Sequence, residues 1–183
     1  INSLSEAFPE KLRHRFCGIH FFNPPRYMHL VELIPCHSTD EKLLDQLEPF
    51  LVSTLGKGVV RAKDTPNFIA NRIGCYALLA VMRTMVEDGY TVEEVDAITG
   101  PPMGRPKSAV FRTADIVGLD TFIHVAKNCY DTLTQDEDRD TFKIPAFVEK
   151  MVAGGQLGEK SGAGFYKKVK GEGGKSDIHV LDL

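Results

Sequence analysis

A glutamate at position 32 stands between Leu30-Val31 and Leu33-Ile34, neighbours that all favour burial. A carboxylate in such a run is costly unless it is paired or hydrogen-bonded. The preceding apolar run carries His20, reached back across Asn23-Pro24-Pro25. A His–carboxylate pair in a dry place is a way to build a general base: the carboxylate selects the imidazole tautomer and stabilises the imidazolium. The same residues also fit a surface Glu on an edge strand beside a satisfied core His, because structural ion pairs share the pattern. His20 lies near the C-terminal end of its predicted strand, the end outside which open α/β sheets bind ligands. Asn23 falls at the same edge, where it is equally a turn initiator before Pro. A metal site from Cys17, His20, Cys36 and His37 is the weaker alternative. Cys17-x-x-His20 has ligand-like spacing, but Cys36 and His37 are adjacent and project to opposite faces of an extended chain.

The elements that must position these residues change character along the chain. Residues 16–23 and 28–34 are short apolar runs without strict alternation, as in strands covered on both faces. Ser38 and Glu41 have capping-box spacing and open a helix with Leu44, Leu47 and Leu51 on one stripe. Pro49 kinks that helix, Gly56 ends it, and 58–62 is a third strand. Strand, strand, helix, strand is the grammar of a layered α/β sheet. Thr65-Pro66 then starts a long helix, with Ile69, Ile73, Ala77, Val81 and Met85 at helical spacing up to Asp88-Gly89. Thr91 and Glu94 match a capping box, and Gly100 closes the short helix that follows. Leu119 to Leu133 is periodic, with Phe122, Ala126 and Cys129 inward, and Pro145 opens a last helix ending near Gly154-Gly155. The spacing predicts no strand between Thr65 and Gly164. The expected fold class is mixed: a truncated, Rossmann-like α/β segment over 1–64, then an all-α domain over 65–166. The polar, Gly/Lys-rich stretch 167–183 reads as a linker or the start of a further module.

The chain has 183 residues, 43% hydrophobic and 26% charged, a mixture that excludes whole-chain disorder. No apolar run approaches the ~18 residues of a membrane span. The net charge of −3 argues against a nucleic-acid binder with a basic surface. Four scattered cysteines, with no C-x-x-C pair, suit a reducing cytosol or organelle matrix, and the expected location is cytoplasmic, in a bacterium, ahead of an organelle matrix. Ile1-Asn2-Ser3 begins neither a signal peptide nor an initiator-Met start, and reads as an internal cut.

Four motifs converge on one resemblance. G-I-H-F-F-N-P-P-R-Y-M-H-L-V-E-L-I (18–34), K-D-T-P-N-F-I-A-N-R-I (63–73), P-P-M-G (101–104) with A-D-I-V-G-L-D (114–120), and G-E-K-S-G-A-G-F-Y (158–166) occur in order. Together they resemble the L-3-hydroxyacyl-CoA dehydrogenases, over nearly the whole chain. The resemblance implies NAD-dependent oxidation of 3-hydroxyacyl-CoA to 3-oxoacyl-CoA in fatty-acid β-oxidation. It implies His20 as the catalytic base, Glu32 as its paired carboxylate, and Asn23 at the nicotinamide end. It further implies Asn71 on the acyl-CoA substrate and Lys160 reaching the cofactor. A homodimer through the helical domain and a fused enoyl-CoA hydratase module are the implied partners. A non-catalytic helical dimerisation module is the alternative.

The sequence departs from the family's pattern in places. Asn67 stands where many relatives have Gly, and 104–113 is longer than the usual link, which should alter a loop over the acyl site or the dimer face. Ser3 and Ser5 lie too close to the His motif to fill the family's serine position. The G-x-G-x-x-G fingerprint is missing: Gly162-Ala163-Gly164 lacks the third Gly and a preceding strand, and the stretch ending Gly174-Lys175-Ser176 has Val169 where a phosphate loop needs its first Gly. The expectation is therefore a fragment carrying the acid–base half of the site, binding NAD weakly or not at all by itself.

Overall fold

The computed structural model describes residues 1–170 and 176–182. The chain divides into two compact units, 1–70 and 71–183.

The first unit holds two single-turn helices, α1 (Asn2–Ser5) and α2 (Glu10–Arg13), then β1 (Cys17–Phe21), β2 (Leu30–Pro35), α3 (Glu41–Pro49) and β3 (Gly58–Arg61). The sheet order is β1-β2-β3, antiparallel then parallel, so β2-α3-β3 is a crossover unit. The central strand is buried from Val31 to Ile34, as its continuous apolar run predicts. β1 alternates instead, leaving Ile19 and Phe21 exposed, so the expectation of cover on both faces is corrected for this strand. The cap of α3 is also corrected: Asp40, not Ser38, accepts the Lys42 N–H at 3.0 Å. The Ser38 hydroxyl bonds back to Arg13 O instead. Pro49 lacks an N–H, and beyond it the backbone widens into a π-turn over Phe50–Thr54. On β3, Arg61 reaches three acids spaced along α3: Glu41 (3.1 Å), Asp45 (2.7 Å) and Glu48 (2.8 Å). These pairs are exposed, so solvent and salt screen them and they add little to stability.

The second unit is built on α4 (Ala70–Asp88), α5 (Val92–Thr99), α6 (Phe111–Val117), α7 (Leu119–Thr132) and α8 (Ala146–Ala153). The helix after Pro66 starts four residues later than that Pro suggests, because Asn67 and Phe68 take left-handed φ and cannot continue a right-handed turn. Its inward stripe is also corrected, to Cys75, Leu79, Met82 and Met85; Ile73 is 63% exposed. The core joins this stripe to Val92, Val95, Phe111, Leu119, Phe122, Cys129, Phe142, Val148 and Phe165. Burial pushes the Cys75 thiol up to about 12, with Cys129 adding to the effect, so it is a packed thiol and no nucleophile at neutral pH. The α5 capping box forms as predicted, Thr91 to Glu94 and back.

The linker expectation for 167–183 is corrected. β4 (Tyr166–Lys170) pairs antiparallel with β5 (Ser176–Val180). Val180 and Leu181 pack on the helical core, and the Leu181 N–H donates to Phe165 O at 2.9 Å. The lysines that suggested a solvated tether line an edge strand, where charge blocks further pairing. Gly174 and Lys175 lie outside the described residues. Among the described residues no helix is long and apolar enough to cross a membrane.

Candidate active site

His20 and Glu32 occupy one register position of the antiparallel β1–β2 pair. Their side chains therefore rise from the same face of the sheet. His20 Nδ1 lies 2.7 Å from Glu32 Oε2. Glu32 is 1% exposed and the His20 side chain 30%. The other oxygen of Glu32, Oε1, accepts two backbone N–H groups, from Ile69 at 2.9 Å and Ala70 at 2.8 Å. Both amides belong to the first unit, just after the turn at Thr65–Phe68. With Glu32 ionised, Oε2 can only accept, so Nδ1 carries the hydrogen of that bond. That assignment leaves Nε2 as the basic ring nitrogen, with no hydrogen-bond partner among the described residues. A buried carboxylate and a part-exposed imidazole, one nitrogen engaged and one open, make an arrangement that can accept a proton at the open nitrogen.

The imidazole is flanked by two aromatic rings, Phe22 at 4.6 Å and Phe68 at 5.5 Å between centroids. Neither was legible as a site residue. Asn23 is exposed in the turn beyond β1. That turn is pinned by Lys57, whose ammonium donates to Pro25 O and to Met28 O, the latter at 2.7 Å.

Asn71 and Lys160 belong to the second unit. Asn71 is half-buried in the first turn of α4, beside Arg72, which pairs with Asp136. Lys160, in the turn Glu159–Ser161, pairs with Asp120 in the first turn of α7. The bond from Lys160 holds the Asp120 carboxyl below its ordinary range. Gly118 leaves the room for this pair, since a Cβ there would stand 3.1 Å from the ammonium. The charge of Lys160 is thus already matched within its own unit.

One acid missed in the sequence joins two of the remaining motifs. Asp115, buried at 3% exposure, accepts the N–H of Phe165 and of Tyr166, each at 2.9 Å. Gly158 and Gly164 lie against it so closely that a Cβ at Gly164 would come within 2.0 Å of Asp115 Oδ1. A-D-I-V-G-L-D and G-E-K-S-G-A-G-F-Y are therefore two halves of one structural joint. Asp115 carries the signal that singled out Glu32, an acid in an apolar run. Among the described residues no three His, Cys, Asp or Glu side chains gather as a metal-binding group. His20 spends Nδ1 on Glu32, and Cys36 is buried while His37 is exposed.

Comparison with known proteins agrees with both units. Residues 1–65 match the family described as 3-hydroxyacyl-CoA dehydrogenase, NAD binding domain, and residues 68–168 match 3-hydroxyacyl-CoA dehydrogenase, C-terminal domain. A Bacillus subtilis protein named "Probable 3-hydroxyacyl-CoA dehydrogenase" is 53% identical over 92% of this chain and 21% of its own length. A Rickettsia prowazekii protein described as a fatty acid oxidation complex trifunctional enzyme is 32% identical over 100% of this chain and 26% of its own. The solved (S)-3-hydroxybutyryl-CoA dehydrogenase of Ralstonia eutropha superposes with a TM-score of 0.77 at 31% identity, covering 90% of this chain and 55% of that one. This chain belongs to the 3-hydroxyacyl-CoA dehydrogenase family. It spans from about a fifth to about half the length of these relatives.

Proposed function

We propose that this chain carries the acid–base centre of an enzyme that oxidises 3-hydroxyacyl-CoA to 3-oxoacyl-CoA with NAD. The observation that carries the reading is the buried Glu32 bonded at 2.7 Å to His20 Nδ1. His20 Nε2 accepts the proton of the C3 hydroxyl, and Glu32 holds the tautomer that makes this possible and offsets the new imidazolium charge. NAD, when bound, supplies the hydride acceptor. The residues present fit its reacting end, with an exposed Asn23 three residues beyond the base and at the same strand end. In the proposal Asn23 and Lys160 contact the cofactor, Lys160 by exchanging its bond to Asp120, and Asn71 contacts the acyl-CoA.

The same proposal includes a homodimer through the helical unit, where Ile73, Val86, Ile98 and Ile116 are exposed. The proposal also includes a fused enoyl-CoA hydratase module; a relative named as a trifunctional enzyme supports fusion to further activities.

The test is turnover of the complete protein with 3-hydroxyacyl-CoA and NAD, followed as NADH, for wild type and His20→Gln. A loss in kcat of about 10²–10⁴ with folding intact is expected for the variant. Equal turnover by the folded variant would overturn the reading.

A further inference from the structure

Two residues at the dyad remain without a role in that reaction, Asn67 and Phe68. Both have left-handed backbone, with φ of +59° and +53°. Asn visits this region readily, whereas for an aromatic residue it is an outlier that persists only where the surroundings impose it. The Phe68 N–H closes the turn onto Thr65 O at 3.0 Å. The next two amides, Ile69 and Ala70, both point at Glu32 Oε1. The Phe68 ring then lies beside His20 at 5.5 Å, inclined at 55°, with Phe22 also beside it at 4.6 Å. Glu32 fixes the imidazole at Nδ1 alone. Tethered at Cγ by its own side chain and at Nδ1 by one hydrogen bond, the ring can still swing in χ1 and χ2, and that motion displaces Nε2, the atom that must meet the substrate hydroxyl.

We propose that Phe68 is a positioning residue for His20: the left-handed turn at 67–68 sets its ring against the imidazole and aims the Ile69 and Ala70 N–H groups at Glu32, so one turn fixes both partners. The inference rests on the reading of His20 as the base. A misplacement of about 1 Å at a reacting atom can cost on the order of 10² in rate, so the ring contact matters to kcat more than to binding.

The experiment uses the complete protein with Phe68→Ala, Phe68→Leu, Phe68→Tyr and His20→Gln. It measures kcat and KM across pH, and the His20 ring protons by ¹H–¹⁵N correlation. Phe68→Ala is expected to lower kcat by about 10–100-fold with KM within about twofold, and to broaden the Nδ1–H signal; Phe68→Tyr, which keeps the ring, is expected to return kcat to within about threefold of wild type. Where Phe68→Ala gives no cooperative melt, Phe68→Leu, which keeps bulk without a ring face, is read by the same criteria. Wild-type kcat and ring signal in the folded variant would overturn the proposal, as would a raised KM with kcat unchanged. Inactive His20→Gln beside a wild-type Phe68→Ala sinks the positioning role alone. An active His20→Gln sinks the dyad reading beneath it.

Discussion

The Tyr166 hydroxyl donates to Asp96 Oδ2 at 2.8 Å, across 70 residues of chain. The same aspartate caps α6, accepting the N–H of Val110 at 3.0 Å, Phe111 at 2.8 Å and Arg112 at 3.2 Å. One carboxylate thus ties the start of a helix to the start of β4. Burial first, and then the bond to Asp96, push the Tyr166 phenol above its ordinary value. A folded value above the unfolded one means the fold favours the neutral phenol. That contribution is fully present below about pH 10 and is lost as pH rises through the folded value. Tyr166→Phe should cost about 1.5–3 kcal/mol at pH 7, the range for a hydrogen bond to a charged group. It should also flatten the alkaline fall in stability. Denaturant titrations of both proteins at neutral and alkaline pH check this, and an unchanged alkaline slope would contradict it.

Removing Asp115 leaves two buried N–H groups without their acceptor. Asp115→Ala should destabilise by about 2–6 kcal/mol, at roughly 1–3 for each orphaned group. Gly164→Ala should act on the same joint, because its Cβ would fall 2.0 Å from Asp115 Oδ1. The two changes share a contact, so their costs should fall short of additive when combined. Melting temperatures of the two single variants and the double variant test this; strict additivity would mean the motifs are not one joint.

Asn67→Gly should melt above Asn67→Val, since Gly takes positive φ freely and a β-branched residue does not. Asn67→Val should cost about 1–2 kcal/mol, the penalty of left-handed backbone for an ordinary residue. Thermal melts of the two variants separate the backbone effect from any loss of the Asn side chain. Equal melting temperatures would show that φ at this position carries no strain.

Much of this architecture was legible in local patterns. A continuous apolar run reads as a buried strand, and a lone acid inside one demands a partner, which is how Glu32 led to His20. The capping box at Thr91 and the stripe along α7 were equally local. What escaped depends on pairing over distance. The stripe of α4 was misassigned because Ile73 and Cys75 both suit an apolar face, and tertiary packing chose Cys75. The 167–183 tail looked solvated by composition, whereas alternate apolar positions at Ile178 and Val180 belong to a strand whose partner precedes a Gly-rich stretch. Phe68 escaped because nothing in its residue type announces a left-handed φ or a ring beside an imidazole. Asp115 could have been found by the argument used for Glu32.

The account turns on the tautomer of His20, and Glu32→Gln reaches it most directly. The amide oxygen of a Gln must face the Ile69 and Ala70 N–H groups, which places its NH₂ against His20 Nδ1. Nδ1 then becomes an acceptor, the proton moves to Nε2, and the basic nitrogen is lost. The measurement is kcat of the complete protein for 3-hydroxyacyl-CoA oxidation, in wild type and Glu32→Gln, with folding verified by melting. The account predicts a loss of about 10²–10⁴. A folded Glu32→Gln protein with the wild-type kcat would contradict it.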